Sequence, residues 1–263
     1  MKKLGILGTG KMGGTILDAL LASCKYLPEE IAFYTPNLSH REKYQGLGLS
    51  LAENEEELFK SAEILLIAIK PQIFFDVLAS ARSIDFSGRC VISIAAGISL
   101  KLLGEFFPNA VLVRAMPNTP ALIRQAATTM CYTRKGSLTD QAKSIFLTIG
   151  TVEEIEEEFM DYSIPLNGSM PAYLYLFAKS FIDKAVELKM DEKTAKRLCC
   201  QAILGSANMI LSTEESIDTL IKNVCSPQGT TEAGLKELYQ SGFREAIEKC
   251  FTACAERSRQ LGK

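Results

Sequence analysis

Leu4-Gly5-Ile6-Leu7-Gly8-Thr9-Gly10-Lys11-Met12-Gly13 is a short apolar run flowing into a G-x-G-x-x-G loop. Leu4–Leu7 reads as a strand. From Gly13 to Cys24, Ile16, Leu17, Leu20 and Leu21 fall on one face of a helix. In that setting each glycine has a task. Gly8 permits the tight turn, Gly10 lets the backbone approach a pyrophosphate, and Gly13 lets helix and strand pack closely. The helix start offers unpaired N–H groups and partial positive charge to phosphates. The competing reading, a plain glycine turn, asks for neither the preceding strand nor the following helix.

Moving outward, strands are expected at Glu30–Tyr34, Ile64–Ile69, Val91–Ile94, Val111–Met116, Thr128–Tyr132 and Gly150–Ile155. Helices are expected at residues 41–46, 55–61, 74–81, 100–106 and 139–149. The continuous apolar runs suit strands buried on both faces, and the alternation predicts a parallel, doubly wound, Rossmann-like sheet. Beyond residue 160 no strand is evident. Pro171–Leu188 is apolar nearly all round, so it must be buried in its own domain or against a partner. Helices at residues 192–211, 216–224, 230–240 and 243–261 complete an all-α second half. The division expected is 1–160 for the dinucleotide-binding domain and 161–263 for the helical domain.

Composition narrows the function. The chain has 263 residues, 47% hydrophobic and 23% charged, with a formal net charge of -2. That is globular composition with room for two domains, and it lacks the basic excess of a nucleic-acid binder. The single histidine, His40, lies in a polar stretch and reads as a surface residue, so no His-based metal site or catalytic triad is expected. None of the eight cysteines forms a C-x-x-C pair. No metal is therefore expected, and the cysteines read as small buried hydrophobes. The acidic run at residues 153–158 reads as a solvated edge. No run reaches the length of a membrane span and no secretory leader is read at the start, so the chain reads as cytoplasmic.

Three further segments bear on chemistry. At the end of the second strand, Phe33-Tyr34-Thr35-Pro36-Asn37 has no acid to hold a ribose 2′-OH, whereas Asn37, Ser39 and Arg41 can receive a 2′-phosphate. NADPH is expected, with NADH as the alternative. Arg114-Ala115-Met116-Pro117-Asn118-Thr119-Pro120 turns at a strand end, where ligands of such sheets bind. It puts Asn118 toward the nicotinamide, or else it is only a structural turn. Cys225-Ser226-Pro227-Gln228-Gly229-Thr230-Thr231-Glu232 is a loop entering a helix. Its free N–H groups suit a small anion such as a carboxylate; the alternative is ordinary helix capping.

Together these segments resemble the pyrroline-5-carboxylate reductase family nearly end to end. The resemblance runs through Gly8–Gly13, Ala68-Ile69-Lys70-Pro71, Ile94-Ala95-Ala96-Gly97, the Met116–Pro120 turn, Gly168-Ser169-Met170-Pro171-Ala172-Tyr173 and the Ser226–Thr231 loop. It implies a helical dimerisation domain, a homodimer built into larger rings, and reduction of L-1-pyrroline-5-carboxylate to L-proline. It implies a cofactor site of Gly8, Gly10, Lys11, Met12, Gly13, Thr35, Asn37, Asn54, Ala68, Lys70, Pro71, Ala95, Ala96, Gly97 and Asn118. It implies a substrate site of Glu214, Ser226, Gly229, Thr230 and Thr231. In that site the Thr230 and Thr231 backbone holds the carboxylate and the Thr231 hydroxyl lies near the ring nitrogen.

The chain departs from the family's pattern twice. Gln228 replaces the first glycine of Ser-Pro-Gly-Gly, and Met170 replaces the second glycine of Gly-Ser-Gly-Pro-Ala-Tyr. Two other classes fit less of the chain. A related imine reductase or hydroxyacid dehydrogenase is one; the 3-hydroxyacid enzymes resembling this layout use a helical lysine, and Gly168–Leu176 has none. A non-catalytic dinucleotide-binding module is the other, and it has no need of the Ser226–Thr231 loop.

Overall fold

The computed structural model describes residues 1–261. The chain runs β1 (Lys2–Leu7), α1 (Lys11–Ala22), β2 (Ile31–Tyr34), α2 (Leu38–Gly46), β3 (Ser50–Leu51), α3 (Glu55–Ser61), β4 (Ala62–Ile67), α4 (Phe74–Leu78), β5 (Cys90–Ser93), α5 (Leu100–Gly104) and β6 (Val111–Met116). It continues with β7 (Ala126–Tyr132), α6 (Ser137–Phe146), β8 (Gly150–Glu154), α7 (Met160–Ser163), α8 (Met170–Glu187), α9 (Glu192–Ser212), α10 (Ile217–Val224), α11 (Thr230–Gln240) and α12 (Phe243–Leu261). The strands form one eight-stranded sheet in the order β3-β2-β1-β4-β5-β6-β7-β8.

The alternation of side chains across the pleat feeds two cores. Leu4, Ile6, Ile64 and Leu66 face one, where α1, α2 and α6 supply Leu17, Leu20, Tyr44 and Phe146. Leu7, Leu65, Ile67 and Val91 face the other, against Leu58, Phe59, Phe74 and Leu103 of α3, α4 and α5. Helices thus cover both faces, as the apolar central strands required. The short β3 and the helical turn α7 were not anticipated; each carries too few apolar residues to show a period.

Two strands, β7 and β8, run the wrong way for a purely parallel sheet. β7 is antiparallel to β6, with Arg114 opposite Cys131 and Met116 opposite Thr129. A parallel neighbour needs a crossover, commonly a helix, of a dozen or more residues. Here β6 and β7 are joined by the proline turn and a short 3-10 helix at Thr119–Ile123. After α6 provides such a crossover, β8 pairs parallel to β7.

The chain divides into two compact units. The first is Met1–Pro171 together with the final turns of α12 from Ala253 onward; the second is Ala172–Thr252. The first unit therefore extends past residue 160, where the composition changes, and reclaims the chain's end. Arg114 explains both additions. Its buried guanidinium bonds Asp161 Oδ1 at 2.6 Å, and that oxygen also accepts from Ser258 Oγ at 2.7 Å. The Ser169 hydroxyl lies 3.3 Å from Cys254 Sγ.

The second unit is wholly helical. Phe177 packs on Phe181 and Phe243 with ring centroids 4.9 and 6.5 Å apart. Yet Ala195 is the sole buried residue among the described residues of this unit. The α8 residues expected to be covered are open along the chain: Leu174, Tyr175, Leu176 and Phe181 all count among the exposed large hydrophobics. No helix among the described residues is long and apolar enough to cross a membrane.

Candidate nucleotide and substrate sites

The strand ends of the first unit are stitched side by side. Gly8 N donates to Tyr34 O at 2.9 Å, Ala68 N to Leu7 O at 2.8 Å, and Ile94 N to Ile67 O at 3.1 Å. The residues following those strands, Gly8–Gly13, Thr35–Asn37, Ala68–Pro71 and Ala95–Gly97, therefore lie together at the carboxyl-terminal end of the strands. Gly8 has φ +90°, and a Cβ there would stand 2.8 Å from Ala68 O. A Cβ on Gly13 would collide with Gly8 O, while one on Gly10 would meet nothing within 4 Å. So the outer glycines close the turn and the middle one opens onto free space. The start of α1 at Lys11 and Met12 has no side-chain cap and no acid in its first turn. Unpaired N–H groups facing open space fit a pyrophosphate.

At the β2 end, Thr35 is buried, and its carbonyl accepts from Arg41 Nε at 2.6 Å. The guanidinium also lies 5.5 Å from the Tyr34 ring centre. Asn37 caps α2 through its Oδ1, which accepts from His40 N at 3.1 Å and Ser39 Oγ at 2.8 Å. This turn holds an arginine and an asparagine and no carboxylate, a donor set for a phosphate. Asn54 caps α3, its Oδ1 accepting from Glu57 N at 2.9 Å. Lys70 is exposed just before Pro71, which starts a 3-10 turn.

Two expectations are corrected. His40 is not a simple surface residue: it is half-buried, with Nδ1 3.1 Å from Thr9 Oγ1 in the glycine loop. Its three-dimensional neighbour is 31 positions away, so its polar sequence surroundings concealed the contact. The Asn118 side chain is not free to reach a nicotinamide. It is buried; its Oδ1 accepts from Ala127 N and its Nδ2 donates to Asn167 O, both at 3.0 Å. Asn167 in turn donates from Nδ2 to Met116 O at 2.6 Å and Ala127 O at 3.1 Å. This amide pair braces the turn that the two prolines only permit. Asn167 lies outside the motifs, and Arg114 opens the proline-turn segment without a role that its neighbours reveal, because its partner Asp161 is 47 positions away.

The cysteines also divide. Cys90 and Cys131 are buried and desolvation pushes both thiols up to about 12, so they stay protonated; Cys24 and Cys200 are exposed. In the acidic run, Glu154 pairs with Lys143 at 2.7 Å and accepts from Tyr132. Glu157 instead turns inward to accept from Leu100 N at 2.6 Å.

In the second unit, Ser226–Thr231 forms a tight turn. Gly229 N donates to Ser226 O at 2.9 Å, and a Cβ on Gly229 would collide with Ser226 Oγ. Gln228 adopts φ +58°, the left-handed region. The departure from the family's glycine therefore falls where glycine is least strained. Its N–H donates to Glu232 Oε2 at 2.6 Å. Gly229 caps α11 with no side-chain hydrogen bond, which leaves the helix start to a ligand anion or to water.

Thr231 lines a largely apolar cavity of about 630 Å³ with Met209, Ile210, Ile217, Leu220 and Val224. The acid on its wall is Glu215, bonded by Asn223 Nδ2 at 3.3 Å. Glu214 is exposed in the connection between α9 and α10, not within a helix.

Known proteins match both units. Residues 3–97 match a family model described as NADP oxidoreductase, coenzyme F420-dependent, and residues 157–261 one described as pyrroline-5-carboxylate reductase dimerisation. The pyrroline-5-carboxylate reductase of Escherichia coli K12 is 36% identical over 100% of this chain and 99% of its own length. That of Synechocystis is 37% identical over 99% of this chain and 98% of its own. The crystal structure of Plasmodium falciparum pyrroline carboxylate reductase with NADP bound superposes with a TM-score of 0.89 at 28% identity, covering 100% of this chain and 98% of that one. The Aspergillus terreus reductive aminase, at 13% identity and a TM-score of 0.61, shares the fold. Matched from end to end, with a glycine-loop unit and a helical unit that buries almost nothing alone, this chain belongs to the pyrroline-5-carboxylate reductase family.

Proposed function

We propose that the chain reduces L-1-pyrroline-5-carboxylate to L-proline with NADPH, the last step of proline biosynthesis, in the cytoplasm. It works as a homo-oligomer whose unit is a dimer, joined into a larger ring. The observation that carries the reaction is the uncapped α11 start after the Ser226–Thr231 turn, in a chain whose full-length relatives bear this enzyme's name. The exposed apolar helices of the second unit support the dimer.

Saturating a cyclic imine requires a hydride on the C=N carbon and a proton on nitrogen; bound NADPH supplies the hydride. Gly8, Gly10, Lys11, Met12 and Gly13 hold its pyrophosphate, and Asn37 and Arg41 its 2′-phosphate. Thr35, Asn54, Ala68, Lys70, Pro71 and Ala95–Gly97 line the rest of its path. The Thr230 and Thr231 N–H groups fix the substrate carboxylate, with Ser226 and Gly229 shaping the turn. The Thr231 hydroxyl orients the ring nitrogen, which enters protonated, so no histidine acid is needed. Glu214 approaches the substrate pocket from the α9–α10 connection.

The test is oxidation of NADPH by the purified protein with L-1-pyrroline-5-carboxylate, with NADH in parallel. Formation of proline with a higher kcat/KM for NADPH is expected. Nucleotide binding without turnover overturns the proposal in favour of a non-catalytic module.

A further inference from the structure

We infer that His40, the chain's single histidine, is a positioning residue that couples the two phosphate-binding parts of the nucleotide site. The inference rests on the NADPH reading above. His40 lies in the first turn of α2 with Nδ1 3.1 Å from Thr9 Oγ1. Thr9 stands between Gly8 and Gly10 and is 1% exposed, so bulk water does not replace a lost partner for its hydroxyl. The main-chain N–H of His40 donates to Asn37 Oδ1. His40 thus joins the loop that holds the pyrophosphate to the turn that carries Asn37 and Arg41.

That link matters because burial does little to hold α2. Tyr44 is its one buried residue. Polar contacts dock the rest: Lys43 Nζ to Asp18 at 2.8 Å, Tyr44 OH to Gly14 O at 3.4 Å, and Arg41 Nε to Thr35 O. The first two tie the later part of α2 to α1, and the third ties it to β2. His40 ties the first turn to the glycine loop itself. The hydroxyl donates to an unprotonated Nδ1 or accepts from Nδ1–H, so the bond forms with either tautomer.

Cutting the bond loosens the Asn37–Arg41 turn against the loop. A dinucleotide that touches both parts then loses more affinity than one that lacks the 2′-phosphate. His40→Phe is expected to raise the NADPH Kd about tenfold and the NADH Kd by less than about twofold, because a buried hydroxyl loses its partner. Asparagine also carries a polar atom on Cγ, where imidazole has Nδ1, so His40→Asn is expected to keep the wild-type NADPH/NADH ratio. Thr9→Val should reproduce the His40→Phe shift, and the double variant should add nothing further.

Both Kd values are read by nucleotide fluorescence titration of the full chain without substrate, with Tm followed alongside. An unmoved ratio in His40→Phe overturns the inference, whether or not Tm falls. Equal shifts in His40→Phe and His40→Asn overturn it too. If the wild type binds neither nucleotide, the NADPH reading fails and the inference with it; wild-type binding with an unmoved ratio removes the inference alone.

Discussion

In the first unit Leu4, Ile6, Leu17 and Leu66 are all fully buried; in the second, Leu176, Leu204 and Leu211 stand 67, 55 and 85% exposed. The residue types are the same. The difference is that a sheet offers two faces for helices to cover, whereas these helices meet too little of their own chain. Each leucine left open forgoes roughly 1.5–3 kcal/mol of burial. A unit of this size with one buried residue lacks a core of its own, which agrees with the dimerisation family that it matches. Cofactor affinity should therefore follow the first unit, and assembly the second.

The sharpest way to break that contrast is a pair of core lesions. Phe33→Ala should cost about 3–5 kcal/mol of stability and leave the oligomer assembled below its lowered midpoint. Leu204→Asp should dissociate the oligomer and make Tm depend on protein concentration. Light scattering that shows intact assembly for Leu204→Asp would dissolve the contrast.

Next, Thr231→Ala should lower kcat by about 10- to 100-fold with an unchanged NADPH Kd, since orientation is lost in the second unit while nucleotide binding stays in the first. Wild-type turnover would remove Thr231 from the chemistry. A smaller effect is expected from Arg41→Asp, which should raise the KM for NADPH about tenfold and leave that for NADH nearly unchanged. An unaltered ratio would move the 2′-phosphate elsewhere.

The smallest effect is expected from Gln228→Gly. Glycine relieves about 1–2 kcal/mol of left-handed strain but returns about 0.5–1 kcal/mol of unfolded-chain entropy. The net gain should be about 0–1.5 kcal/mol, with the turn at Ser226–Gly229 retained. A clear loss of stability would mean that the Gln228 side chain holds the turn.

Legibility follows the range of the interaction. The glycine loop was readable because its three glycines, the strand before and the helix after lie within a few turns of chain. The buried strands were readable from uninterrupted apolar runs, and α11 from the Pro227-Gln228-Gly229-Thr230-Thr231 boundary. The direction of β7 was not, because strand and helix alternation says nothing about which way a strand enters the sheet. The Asn118–Asn167 brace was hidden for another reason: its partners lie 49 positions apart. The Arg114–Asp161–Ser258 cluster joins residues 47 and 97 positions apart, so no window of sequence contains it.

By itself, then, the sequence determined the class of fold, the nucleotide loop and the absence of an acid at the β2 end, because these depend on periodicity, glycine sterics and the charge of neighbouring residues. Tertiary structure alone decided that His40 grips the glycine loop, that Asn118 is committed to bracing, that Gln228 occupies a left-handed turn, and that the second unit leaves its apolar faces open. Those outcomes depend on which distant groups meet and how much surface each can bury, and pairing across the fold is set only when the whole chain packs.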